Sequence, residues 1–314
     1  MLGDQEGEVN LGKRKWGESF LKSGLPLEHL TLMTFKSMEF DCSPNIEYQR
    51  SDESGQKTWF ELDLYACSPN RNKDTYLSFL VESKYHDLSR FWVFLPCETE
   101  RWHFDDRVFN CGPFQTLSKP TAKTALKLAP LSYSGIVVSE DGLKQENSVY
   151  AAIQQVANAF VPQSLSVMFG YLLDVQKGHI PKCEALIPLI VTNARLFRLK
   201  PNVTDLEEIR KATVPEQIAD ELEWTWCYFD PSMDLINRNL RVIEEHQKKE
   251  TEVLDRFPIS YARFELWLTR PNWVAIVNIS ALPTTIETIF LHFLSMKTCT
   301  VSTALKRDRK VRII

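Results

Sequence analysis

Between residues 58 and 96 the chain runs through three apolar segments separated by short polar stretches. TWFELDLYA (58–66) alternates Phe60, Leu62 and Leu64 with Glu61, Asp63 and Tyr65, the period of two expected of a half-buried strand. SPNRNKD (68–74) is a turn cluster, TYLSFLVESKYH (75–86) a second strand and FWVFLP (91–96) a third. Strands at such short spacing commit this region to a sheet. The second of them holds an anomaly. After the apolar run LSFLV come Glu82, Ser83 and Lys84, and strand geometry points Glu82 and Lys84 to one face and Ser83 to the other. Charges on an interior strand cost on the order of several kcal/mol unless they are paired, hydrated or bound to a cation.

The rest of the chain supplies mixed elements. Pro26-Leu27-Glu28 opens a helical pattern with Leu27, Leu30, Phe35 and Met38 along one face, ending near Phe40. Ile46–Gln49 reads as a short strand, and ENSVYAAIQQVANAF (146–160) as a helix with Val149, Ile153, Val156 and Phe160 in register. SLSVMFGYLLDV (164–175) and ALIPLIVTNARLFRL (185–199) read as two strands. The acidic stretch 205–223 reads as a helix broken at Pro215, with DELE (220–223) on its solvated face. A polar-faced helix is expected from residue 230 to 255, late strands at RFELWLT (263–269) and WVAIVNI (273–279), and a basic tail at 305–314. This order predicts an α/β fold, a mixed sheet flanked by helices. Residues 1–200 form the expected core and residues 201–314 a C-terminal helix-and-strand extension packed on it.

Composition removes several function classes. The net charge of −4 gives no global positive field, so a polyanion would have to meet a local basic surface. Lys13, Arg14, Lys15, Arg71, Lys73, Lys119, Lys123, Lys127 and the tail cations are the available candidates. Seven cysteines, an odd number and never in CxxC spacing, argue against a disulfide framework or zinc site and for a reducing, cytoplasmic setting. Six histidines include no HExxH, and there is no Walker A, GxGxxG or GxSxG motif. The polar N-terminus lacks a signal-peptide core, and no run of 18 uninterrupted apolar residues occurs, so no membrane partner is expected.

A lone E-x-K arises by chance about once in a chain of this length. Here it ends an apolar strand, follows a strand carrying Asp63, and lies downstream of a helix carrying Glu28. GLPLEHL, FELDLYA and FLVESKYH in this order resemble the PD-(D/E)xK phosphodiesterases, which have a restriction-endonuclease-like fold, and the Mrr-like branch in particular. IQQVANA and PLIVTNARLF resemble the helix and strand that follow in that superfamily, so the likeness spans roughly residues 20–200. One departure is Leu62, where the motif's proline would stand.

The resemblance implies a Mg²⁺-dependent nuclease (Mn²⁺ substituting) that hydrolyses phosphodiester bonds in nucleic acid, with DNA favoured. Asp63, Glu82 and the Ser83 carbonyl would hold the metal, since Mg²⁺ takes one or two carboxylates plus water and substrate phosphate. Lys84 would orient the attacking water and stabilise the transition state. Glu28 would reach the metal through water or hold the lysine, with Glu18 competing for that part, and Gln155 would position Lys84 or a phosphate oxygen. A homodimer would suit cutting of both strands, though no residue demands one. The alternatives are an edge-strand surface pair at Glu82 and Lys84, a merely solvated Gln155 and His86, and a catalytically silent nuclease-fold domain acting as an interaction module.

Overall fold

A computed structural model describes residues 15–51, 56–68, 75–97, 110–111, 130–139, 148–177, 183–249 and 271–295. Its strands are β1 (Asp41–Ser51), β2 (Lys57–Cys67), β3 (Thr75–Lys84), β4 (Arg90–Pro96), β5 (Asn110–Cys111), β6 (Leu131–Ser139), β7 (Cys183–Thr192), β8 (Arg195–Leu199), β9 (Ala219–Leu222), β10 (Trp224–Tyr228) and β11 (Trp273–Asn278). The helices are α1 (residues 15–22), α2 (Leu25–Ser37), α3 (Ser148–Gln176), α4 (Leu206–Lys211), α5 (Met233–Lys249) and α6 (Leu282–Ser295). All these strands join one mixed sheet in the order β1-β2-β3-β7-β11-β10-β6-β4-β8-β9, with β5 paired to β7.

The mixed α/β class and the strands at 58–66, 75–84 and 91–96 match expectation. The expected division at residue 200 falls between strands of one sheet. β9, β10 and β11 all lie after it, and β11 sits between β7 and β10. RFELWLT lies outside the described residues, as do the basic candidates apart from Lys15.

Three expectations fail. ALIPLIVTNARLFRL is not one strand but two, β7 and β8, divided at Asn193 and Ala194. SLSVMFGYLLDV is not a strand but the second half of α3, which runs 29 residues through Pro162. Leu165, Met168, Phe169 and Leu172 are buried at helical spacing, but the exposed face carries Ser166, Gly170 and Leu173, so the polar stripe by which sequence reveals a helix is weak. DELE is likewise not a helix face: Ala219–Leu222 form β9, paired antiparallel with β8.

The sheet is strongly curled. In its order β7 and β8 are separated by β11, β10, β6 and β4. Flat, five strand spacings would put them about 24 Å apart. Yet only Asn193 and Ala194 connect them, and Thr192 to Arg195 can span at most about 11 Å. The strands between must therefore wrap round. α3 lies on the inner side, where its Val149, Val156, Phe160 and Leu172 join Trp92, Phe94, Leu186, Ile190 and Leu196 in one cluster. On the other face Leu27 and Phe35 of α2 and Ile286 and Phe293 of α6 pack with Phe79, Leu189 and Trp226.

Pro162 leaves a gap in the α3 ladder, because it has no N–H for the carbonyl four residues back. That carbonyl belongs to Asn158, and it accepts from a guanidinium nitrogen of Arg50 on β1. The same guanidinium donates to the Asn158 side chain at 2.8 Å and to Asn239 of α5 at 3.3 Å. One buried arginine thus ties the edge strand to two helices.

Gly135 marks another tight contact. The β4–β6 register shifts between Phe94 and Leu95, opposite Ser134, whose φ is 52°. The Phe94 ring then lies against Gly135 so closely that a Cβ would sit 2.6 Å from it. Gly135→Ala should therefore destabilise the fold by about 1–3 kcal/mol, the usual range for an overpacked core. A denaturant midpoint unchanged from the parent would contradict this packing.

Candidate functional site

β3 carries the site because it lies inside the sheet. It pairs antiparallel with β2 and, over its whole length, parallel with β7. Glu82 stands beside Ile190, which is buried in the α3-side cluster, and so faces the same way. Its side chain is 4% exposed. Lys84 Nζ donates to Glu82 Oε1 at 2.7 Å, while Oε2 is buried with no hydrogen-bond partner among the described residues. The Lys84 carbonyl accepts from the Thr192 hydroxyl at 2.8 Å, which fixes the end of the strand. Burial, helped by the negative charge of Asp63, pushes the Glu82 carboxyl up to about 7 despite the opposing pull of Lys84.

Asp63 arrives from an irregular point of β2. Leu62 and Leu64, two residues apart, pack into opposite clusters, so the strand turns over between them. The ladders agree: β1 and β2 pair at Pro44–Leu64 and Ile46–Leu62, skipping Asn45 (φ 52°), and β2 pairs with β3 only from Leu64 onward. Where the β2–β3 ladder stops, Asp63 Oδ2 accepts the Ser83 backbone N–H at 2.6 Å. Burial raises the Asp63 pKa, while the Ser83 N–H and Lys84 pull it back.

Glu28 lies in the first turn of α2, a helix anchored by Leu27, Thr31 and Phe35. It follows Gly24, whose φ of 83° suits glycine at the helix start. Burial raises the Glu28 pKa, with Asp63 and Glu61 adding to the effect and Lys84 opposing it. Glu28, Asp63, Glu82 and Lys84 thus share one electrostatic environment. Glu18, on α1, is exposed.

Gln155 takes the solvated alternative, and His86 does not. The Gln155 side chain is exposed and makes no hydrogen bond to Lys84; its carbonyl accepts from the Tyr48 hydroxyl at 3.5 Å, the outer limit for such a bond. His86 is not solvated. It is buried with its ring edge-on to Trp92, and Asn193 bonds both its backbone N–H and its carbonyl at 2.7 Å. Burial, with nearby Arg90 and Lys84, lowers its pKa to about 4, so it is neutral near pH 7.

Tyr48 escaped the sequence pattern. It shares a face of β1 with Arg50, and both meet α3. Burial pushes its phenol up to about 12, and the Glu82 charge adds to that. Period-2 alternation from Ile46 through Tyr48 to Arg50 was the available signal, masked by ending the strand at Gln49.

Among the described residues no three His, Cys, Asp or Glu side chains converge to hold a metal ion. A cation here would rest on the carboxylates of Asp63 and Glu82 and the Ser83 carbonyl, with water and substrate completing its shell, which is a donor set Mg²⁺ accepts. The unpartnered Glu82 Oε2 is compatible with that use. No protein-family model, curated protein or solved structure matches the chain.

The raised Glu82 pKa has a stability signature. Its ordinary value is 4.5 and its folded value about 7. The protonated carboxyl therefore stabilises the fold fully below pH 4.5, and that contribution is lost as pH rises through about 7. Glu82→Gln, a mimic of the neutral form, should match the parent at pH 4.5 and exceed its stability at pH 8 by on the order of 1–3 kcal/mol. Equal denaturation midpoints at both pH values would contradict a strained Glu82.

Proposed function

We propose that this protein is a Mg²⁺-dependent phosphodiesterase that cleaves nucleic acid, with DNA the favoured substrate. The finer assignment of its sheet to the restriction-endonuclease-like core belongs to the same proposal. The observation that carries it is the Glu82 carboxylate: nearly fully buried, one oxygen held by Lys84, the other without a partner, beside Asp63 at the end of an apolar strand. A buried carboxylate in this state is a poor structural device and a good cation ligand.

Each residue of the cluster has a task in that chemistry. Ionised Glu82 and Asp63 would hold the cation, and the Ser83 N–H fixes one Asp63 oxygen so that the carboxylate is oriented before anything binds. When bound, Mg²⁺ would supply charge neutralisation at the phosphate and a more acidic water. Lys84 is about a quarter exposed, so its side chain reaches from the buried Glu82 towards solvent. There it would orient the incoming water and stabilise charge on the phosphorane-like transition state. Glu28, at the border of the cluster, would hold Lys84 or a bridging water. The reading leaves Gln155 no direct part, given its exposed side chain.

The site also sets a pH dependence. Glu82 must be ionised to take a cation, so at sub-saturating Mg²⁺ or Mn²⁺ cleavage of supercoiled DNA should rise as pH climbs towards about 7. Glu82→Ala and Lys84→Ala should each lower the rate by roughly 10²-fold or more. Cleavage that persists in both variants would rule the site out. A parent protein that is stabilised by Mg²⁺ in a thermal melt yet cuts neither DNA nor RNA would favour the silent interaction module.

A further inference from the structure

The arginine that braces α3 has a charge its bracing role does not use. Arg50 is 3% exposed and, among the described residues, donates only to the Asn158 side chain and carbonyl and to the Asn239 side chain. Its Nε is buried without a partner. Any neutral donor could satisfy the carbonyl freed by Pro162, whereas a buried guanidinium with no carboxylate against it carries a large desolvation cost. Asp234, Arg238 and Arg241 follow at i, i+4 and i+7 on α5, one stripe of a helix, and the charges of all three act on Arg50. Asp234 is held by Arg238 at 2.6 Å. Arg241 makes no ion pair among the described residues, and its Nε too is buried and unpartnered. Glu244 and Glu245, exposed on the next turn, pair with neither arginine. Among the described residues, three cations thus face one carboxylate.

Position gives the cluster a meaning. Tyr48 stands two residues before Arg50 on the same face of β1, and its phenol responds to both the Arg50 and the Glu82 charges. Tyr48 packs on the α3-side cluster and Arg50 bonds Asn158 of α3 and Asn239 of α5, so the arginines lie on the side of the sheet onto which Glu82 also projects.

We propose that Arg50, Arg238 and Arg241 bind a backbone phosphate of the same DNA strand whose scissile phosphate meets Asp63, Glu82 and Lys84. This rests on the nuclease reading for the identity of the strand. Arg238 and Arg241, half-buried and carried on a helix, contact the phosphate oxygens. Arg50 lies beneath them as a fixed positive charge, and Tyr48 spaces this phosphate from the one that is cut. On a chain with a net charge of −4, a local excess of cations is what a polyanion needs in order to dock.

The test is binding of a fluorescent DNA duplex in EDTA, where a metal-dependent enzyme does not cut, followed by anisotropy over a range of KCl concentrations. Arg238→Gln and Arg241→Gln should each make the slope of log affinity against log salt shallower by about 1, and weaken binding several-fold at low salt. Lys211→Gln, removing an exposed charge on α4, should leave the slope unchanged. Arg50→Gln is the riskier variant because it also loosens α3, so the α5 pair decides. Parent-like slopes in both α5 variants, or a parent that does not bind DNA at low salt, overturn the phosphate site. A parent that binds, loses slope with each α5 variant and still fails to cut with Mg²⁺ keeps the phosphate site and removes the nuclease reading. Cutting by a parent whose α5 variants bind normally does the reverse.

Discussion

Ten consecutive residues of β3 lie beside ten of β7, from Thr75 opposite Cys183 to Lys84 opposite Thr192, and most other features of the molecule hang from this pair. A parallel pair cannot be closed by a tight turn and needs a long crossover. Here the crossover includes β4, β6 and α3. It brings α3 across the face on which Leu80 and Ile190 point, which dries that face. Glu82 and Lys84 project from the same strand in the same direction, so their environment follows from the pairing rather than from local sequence. The Thr192 hydroxyl then bonds the Lys84 carbonyl, and Asn193 bonds His86 on both backbone groups. The end of β3 is held by the end of β7.

Burial consequently governs the electrostatics of the site. It leads the causes of the raised pKa at Glu28, Asp63 and Glu82 alike, ahead of their mutual repulsion. Lys84 offsets part of this for each of them, and the Ser83 N–H serves Asp63 alone. The cluster is under-compensated, with three carboxylates and one ammonium, and the arginine group beyond Tyr48 is over-supplied in the opposite sense. Charge of the two signs is thus separated among the described residues around β1–β3, while the molecule as a whole stays mildly acidic.

Sequence reveals those parts that depend on short-range order. The alternation in β2 and the apolar run of β3 gave both strands to within a residue or two, and the order of Glu28, Asp63 and Glu82 with Lys84 led to groups that do share one electrostatic environment. What stayed hidden depends on long-range contacts. Opposite the buried Leu165, Met168 and Leu172, the second half of α3 exposes Ser166, Gly170 and Leu173, so the contrast that marks a helix is weak. Helix α3 is also long and apolar enough to cross a membrane by length and composition, yet 59% of that window is buried inside the fold. Pro162 interrupts the α3 ladder, and the Arg50 guanidinium from another strand takes up the carbonyl that it frees. The side-chain reversal at Asp63 has a similar origin, since its partner irregularity lies in another strand, at Asn45.

The place of β11 in the sheet bears on how the chain is made. It is the last of the described strands in sequence and it lies between β7 and β10, pairing parallel with one and antiparallel with the other. Until residues 273–278 leave the ribosome, the edges that Leu189–Thr192 and Trp224–Tyr228 will offer them stand open on two apolar strands. Non-local pairing of this kind is slow and leaves unpaired edges exposed to other chains meanwhile. From the synthesis of Tyr228 to that of Asn278 the nascent protein therefore lacks the strand that joins β7 to β10.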